Sequence, residues 1–370
     1  VYKRQAEHVA HDRPVNQLHW GGGTPNYLTI EQVQQLWDVL QESFWIAPDA
    51  ELSIEVNPRL LDRDYVLALR QIGFNRVSFG IQDFDTQVQE AINRVQPEEM
   101  LFESMGWLRE AKFDSVNVDL IYGLPFQSLE KFEHTLTKTL ELNPDRVAVF
   151  NFAYMPSLKP IQKRIPGDAL PPAAEKLAIF QRTIDVLSNN GYTFIGMDHF
   201  AKPDDELAIA QRQGELHRNF QGYTTKPEAD LLGFGMTSIS MLHDVYTQNQ
   251  KHIRDYYKAI DQGGLSIERG VALSQDDVLR RSVVMELMCQ FRIERDSLVE
   301  KYQLDIAPTL QGEFAREYAI LRSLEKDGLV RLATQSIEVT PLGRLLVRNI
   351  ASVFDQYLGK NLNAEFSKAV

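Results

Sequence analysis

Along the first half of the chain, short β-rich runs alternate with stretches whose apolar residues recur at helical spacing. The runs are QLHWG (17–21), LSIEV (52–56), RVSFGI (76–81), SVNVDLI (115–121) and RVAVFNF (146–152), with YTFIGM (192–197) as an outlying sixth. After the first, Ile30, Val33, Leu36, Trp37 and Leu40 make one apolar stripe of a helix; Thr29 is placed to cap it, with Gln32 three positions on. Three more segments read as helices: LLDRDYVLALRQIG, closed by Gly73, then EEMLFESMGWLREAK and SLEKFEHTLTKTLEL. Strands alternating with such helices predict an α/β fold of βαβ units with a parallel sheet, wound into an open sheet or a barrel.

The pattern changes after about residue 200. AKPDDELAIAQRQGELHRNFQGYTTKPEADLLGFG lacks clear periodicity and reads as a long connector, of a length usually tied to function. From about 246 the chain is mostly helical and closes on a helix, two short strands and another helix, a winged-helix-like layout. The surrounding acidity and the lack of a basic recognition stripe favour a packing module over a DNA reader.

Composition narrows the class. The chain has 370 residues, so two domains are expected, and 44% hydrophobic content suffices for a sizeable core. Its formal net charge of −12 argues against a general nucleic-acid surface. No run approaches the roughly 18 apolar residues of a membrane span, and no signal peptide is visible, which fits a cytoplasmic protein. The one cysteine, Cys289 in VVMELMCQF, reads as an inert core thiol; a disulfide framework and a multi-cysteine metal site within the chain are excluded. The opening VYKRQAEHVAHDRPVNQ is polar and starts with Val, so the chain reads as a fragment.

Candidate chemistry sits at the C-terminal ends of the strands. Gly21, Gly22, Gly23 and Thr24 follow the first, Glu55 and Asn57-Pro58 end the second, Gln82-Asp83 the third. Asp119 and Tyr122-Gly123 belong to the fourth, Asn151 and Ala153 to the fifth. In parallel α/β folds these ends hold ligands. Three consecutive glycines imply unusual backbone angles or a close approach to the main chain. A P-loop is excluded because no lysine follows in place, and a Rossmann turn lacks its third glycine. A barrel-type site would offer bare backbone to an ammonium or carboxylate, with Glu55 and Asp119 for ammonium or ribose hydroxyls. Periodicity does not choose the ligand.

The motifs QLHWGGGTP, SIEVNPR, FNRVSFGIQDFD, VQEAINRVQ, NVDLIYGLPFQ, LNPDRVAVFNFAYMP, GYTFIGMDHFAKPDDELAIAQ and LHRNFQGYTT, in this order, resemble oxygen-independent coproporphyrinogen III oxidase, a radical S-adenosylmethionine (SAM) family, over essentially the whole chain. The resemblance implies an incomplete (β/α)6 radical-SAM barrel lacking its first strand, over residues 1–200. A connector lining the active site (201–245) and a mostly helical C-terminal domain with a winged-helix-like end (246–370) would follow. It implies anaerobic haem biosynthesis, in which two propionates of coproporphyrinogen III lose CO₂ and become vinyl groups, giving protoporphyrinogen IX. The cofactor carries the difficult step, leaving the protein to place reactants and exclude water; no side chain is singled out as catalytic.

Residue by residue, the resemblance implies that Gly22, Gly23 and Thr24 line SAM, with Glu55, Gln82, Arg94, Asp119, Ala153 and Ile239 at the family's other SAM-contacting positions. The family can hold two SAM molecules, so these need not all touch one. Arg94 suits a carboxylate through its planar fork. Arg212, His217 and Arg218 are candidates for porphyrinogen carboxylates. An electron donor and an electron acceptor are implied partners, in a monomer without nucleic-acid or membrane contact. The family's [4Fe–4S] cluster is held by a C-x-x-x-C-x-x-C run that this chain does not contain, so as written it is expected to bind no cluster and perform no radical chemistry. The other readings are a radical-SAM haem chaperone and a cluster-free regulator that binds SAM or porphyrin.

Overall fold

The computed structural model describes residues 6–7, 12–226 and 229–358; most of the polar opening lies outside them. They fall into two compact units, one reaching Phe194 and taking in 198–203, the other holding 195–197 and the chain from Asp204.

The first unit runs β1 (Val15–Trp20), α1 (Ile30–Ser43), β2 (Ile46–Val56), α2 (Arg63–Ile72), β3 (Arg76–Gln82), α3 (Thr86–Ala91) and α4 (Glu98–Glu110). It continues with β4 (Ser115–Tyr122), α5 (Leu129–Leu142), β5 (Arg146–Asn151), α6 (Ala173–Asn189), β6 (Thr193–Gly196), whose last two residues count with the other unit, and β7 (His199–Ala201). These strands form one seven-stranded sheet in the order β1-β2-β3-β4-β5-β7-β6. β1 to β5 pair parallel, and β7 joins β5 antiparallel. The expected parallel α/β sheet is therefore present, and YTFIGM is its outlying strand. β7 went unread because its turn from β6 uses Met197 at φ 54 where a glycine or asparagine would have signalled it.

Local chemistry explains the helices. Thr29 and Gln32 cap α1 reciprocally, and α1 buries Val33, Trp37 and Leu40. Gly73 ends α2 at φ 124, a conformation that excludes most side chains. Val56, Phe79, Val118, Val147 and Phe200 lie in one row across the sheet, all at most 4% exposed. On this face Tyr122 stacks on Phe180 of α6 at 5.5 Å between ring centroids. Burial of these side chains is the main stabilising term of the unit.

The second unit is less uniformly helical than the sequence suggests. In the expected connector, α7 (Glu206–Gln213) is capped by Asp205 and buries Leu207, Ala208 and Ala210. β8 (His217–Arg218) pairs antiparallel with β9 (Tyr223–Thr224). β10 (Ile239–Leu242), β11 (Val245–Asn249) and, after α8 (Ile253–Asp261), β12 (Ile267–Ala272) make a three-stranded sheet. The β10–β11 turn has His243 at φ 38, again without a glycine to announce it. Then come α9 (Gln275–Gln290), β13 (Arg292–Glu294), α10 (Arg295–Tyr302), α11 (Leu310–Glu313) and α12 (Ala315–Lys326). β14 (Val330–Leu332), β15 (Ser336–Val339), α13 (Pro341–Arg344) and α14 (Val347–Ser352) are the last elements among the described residues, in the expected winged-helix-like order, with β13 as the third strand. Cys289 is fully buried on α9, and burial pushes its thiol up to about 12, which fits an inert core residue.

Candidate active site

Side chains alternate between the faces of a strand. With the apolar row packed on one face, the residues between must form the other. Register sets Glu55, Ser78 and Asn117 side by side, and Gly80, Asp119, Ala148 and His199 in the next row. Glu55, Ser78, Asn117, Asp119 and His199 are half-buried. Most parallel sheets are covered and apolar on both faces; this one presents a polar face. A cleft opens there, with Gly23, Thr24, Glu55, Gln82, Arg94 and Asp119 all in its lining.

The three glycines have different reasons. A Cβ on Gly21 would lie 2.6 Å from Glu55 Oε1 and 2.7 Å from His19 Nε2, so that space is already filled. Gly22 sits at φ +82 with open space around it; its constraint is conformational. Gly23 lines the cleft and would meet nothing within 4 Å, so its missing side chain leaves room for a ligand beside the backbone.

Glu55 is held in place. His19 bridges Ser53 Oγ at 2.8 Å and Glu55 Oε1 at 3.2 Å, and Gly22 N–H donates to Glu55 Oε2 at 3.3 Å. Burial opposes its charge, but His19 and the Gly22 N–H outweigh burial, and its pKa lies below the usual carboxylate range. Asp119 goes the other way. Burial pushes it up to about 6, against hydrogen bonds from Ser78 Oγ (2.6 Å) and Asn117 Nδ2 (2.7 Å), with Glu55 raising it further and His199 opposing. The two carboxylates on one wall thus titrate apart.

Gln82 and Arg94 reach the cleft through irregular backbone. The β3–β4 register shifts between Gly80 and Gln82, and Gln82 has φ 74. Arg94 Nη2 donates to Gly80 O at 2.9 Å, an approach that a Cβ on Gly80, 2.9 Å from the same nitrogen, would block. Burial, then repulsion from Arg59, lowers the Arg94 pKa, and Asp119 opposes this.

Of the nine residues expected to contact SAM, six line this cleft and Gly22 touches it through Glu55. Ala153 lies past the end of β5, outside the lining, and its carbonyl accepts from Gln162 Nε2 at 2.9 Å. Ile239 starts β10 in the other unit and is half-buried. Arg212, His217 and Arg218 also belong to that unit. Arg212 is exposed in the last turn of α7. His217 is buried, and burial, with the charge of Lys301, lowers it to about 4. Arg218 lies 5.8 Å over the Tyr223 ring and has a buried Nε without a hydrogen-bond partner.

Sequence reasoning concentrated on strand tips and missed His19, Ser78 and Asn117. The signal was there: Ser53 and Glu55, and Asn117 and Asp119, are polar residues two apart inside otherwise apolar strands, the mark of one wet face. Among the described residues no group of three or more His, Cys, Asp or Glu could hold a metal ion, and no helix is long and apolar enough to cross a membrane.

Comparison with known proteins adds to this geometry. A family model for the radical SAM superfamily matches residues 1–138, and one for the HemN C-terminal domain matches 273–346. The chain is similar to the oxygen-independent coproporphyrinogen III oxidase of Synechocystis sp., 61% identical over 363 residues, which cover 98% of this chain and 78% of that protein. It is 56% identical over 329 residues to that of Thermostichus vulcanus, covering 89% of this chain and 100% of the relative. The solved coproporphyrinogen III oxidase (HemN) from Escherichia coli, a radical SAM enzyme, superposes with a TM-score of 0.92 at 48% identity. That match covers 96% of this chain and 82% of the other.

Proposed function

The chain belongs to the oxygen-independent coproporphyrinogen III oxidases of the radical SAM superfamily, and from that premise we propose that the polar cleft of its sheet holds SAM. The activity of this family is oxidative decarboxylation in haem biosynthesis, with coproporphyrinogen III as substrate. What supports the placement is one observation: Gly23, Thr24, Glu55, Gln82, Arg94 and Asp119, far apart in sequence, line a single cleft.

The donor set fits SAM. Gly23 leaves backbone bare, Glu55 stays charged for an ammonium or ribose hydroxyls, and Arg94 has Nη1 free of protein hydrogen bonds among the described residues. Given one electron from the family's [4Fe–4S] cluster, bound SAM would supply the abstraction of a hydrogen atom from the substrate propionate. The chain's own work is placement: Glu55, locked by His19 and Gly22, fixes one end, and Asp119, held by Ser78 and Asn117, a second. The [4Fe–4S] cluster is a different matter. Its thiolates are not in this chain, whose single Cys289 is buried in the other unit, so no step is assigned to cluster ligands here.

Arg218 we assign to a carboxylate of the porphyrinogen, on the strength of its unpartnered buried Nε. Titration calorimetry with SAM tests the cleft: saturable binding that Asp119→Asn weakens at neutral pH is expected, and unchanged affinity would overturn the placement. Quenching of coproporphyrin III fluorescence tests Arg218; an Arg218→Gln variant that binds porphyrin as the parent does refutes that role.

A further inference from the structure

Gln96, the last residue of VQEAINRVQ, lies in the loop between α3 and α4, only 1% exposed. Its carboxamide is fully engaged. Nε2 donates to Ile81 O at 2.6 Å and to Gly80 O at 3.4 Å, while Oε1 accepts from Arg94 Nε at 3.2 Å. The orientation is fixed, since a flipped amide would set its oxygen against two carbonyls. Gln89 holds the Gln96 main chain: Gln96 N–H donates to Gln89 Oε1 at 2.9 Å, and Gln89 Nε2 donates to Gln96 O at 3.1 Å. The same Nε2 donates to Asp83 O at 2.8 Å, just past the bulge that carries Gln82.

Arg94 is thus gripped on two of its three nitrogens, Nε by Gln96 and Nη2 by the Gly80 carbonyl. Both grips pass through one short stretch, Gly80–Ile81, which Gln96 ties down. Nη1 and the second N–H of Nη2 are left for a ligand, on a residue that lines the cleft. A flexible arginine loses much rotamer freedom when it binds a ligand, and fixing it beforehand removes that loss.

We propose that Gln96 is a positioning residue that aims Arg94 at the carboxylate of the amino-acid end of SAM. This rests on the reading of the cleft as a SAM site with Arg94 on its carboxylate, and adds the residue that holds Arg94 there. A buried carboxamide serving only to close a loop would affect every ligand alike. One that aims a cation affects only ligands carrying the matching anion.

The test compares SAM with 5′-methylthioadenosine, which keeps the nucleoside and lacks the amino-acid end, by calorimetry on the full chain. Gln96→Met keeps the side-chain length and removes the hydrogen bonds. It is expected to weaken SAM roughly tenfold, the loss of one bond to a charged group, with methylthioadenosine affinity unchanged; the Ile81 carbonyl left unpaired lowers the melting temperature without altering that ratio. A Met variant that binds SAM normally, or loses both ligands alike, overturns the proposal. Arg94→Met separates the two levels. It should abolish the preference for SAM over methylthioadenosine. If that preference persists, or the parent shows none, the carboxylate reading of Arg94 falls and takes this inference with it. If Arg94→Met acts and Gln96→Met is silent, only the positioning role fails.

Discussion

The two faces of the seven-stranded sheet are made by the same strands and could hardly differ more. On one, Ile54, Val77, Phe79, Val118, Leu120 and Val147 are at most 2% exposed. On the other, a residue away along each strand, Ser53, Glu55, Ser78, Asn117 and Asp119 stand half-buried, the first two bridged by His19 and the last three bonded to one another. Side-chain alternation makes this possible: one face contributes stability and the other is free to carry chemistry. The comparison teaches that fold and site are separable here residue by residue.

That separation can be broken or sharpened by substitution. The largest effect belongs to Phe79→Ala, which empties a fully buried position and should destabilise by about 3–5 kcal/mol in urea unfolding. Next is Gly21→Val. Its side chain would collide with Glu55 and His19, and SAM affinity should fall at least about tenfold while the urea midpoint moves little. A loss of fold in this variant as severe as in Phe79→Ala would erase the distinction between the faces.

Asp119 sharpens it through pH. Its folded pKa is raised from an ordinary 3.8 to about 6, so the native state keeps a proton that the unfolded chain releases. The Asp119 contribution to stability therefore declines as pH rises from about 3.8 to about 6 and stays at its lowest above that. SAM affinity should move oppositely, increasing as Asp119 ionises through about pH 6. Asp119→Asn should flatten both profiles, measured by thermal melts and calorimetry across that range. Least of all, Thr29→Ala removes the α1 cap at a cost of about 1 kcal/mol and should leave SAM affinity untouched.

Much of this was legible in the sequence, because periodicity and caps are local. The five parallel strands, the Thr29–Gln32 cap and the Gly73 stop were all readable. So was the glycine turn as an edge of the cleft, although its three members proved to be constrained in three ways. The turns at Met197 and His243 hid because ordinary residues adopt positive φ there, which only tertiary packing can enforce. Gln96 closes the quoted VQEAINRVQ, yet its role hid for another reason: its partners at Gly80, Ile81 and Arg94 come together only once α3 folds back.

A wall of serine, asparagine and carboxylates also has a thermal signature. Covering apolar surface lowers heat capacity, whereas covering polar surface offsets that change. Occupancy of a cleft lined by Glu55, Ser78, Gln82 and Asp119 should therefore release heat that varies little between cold and warm titrations. A greasy slot of the same size would show a steep slope.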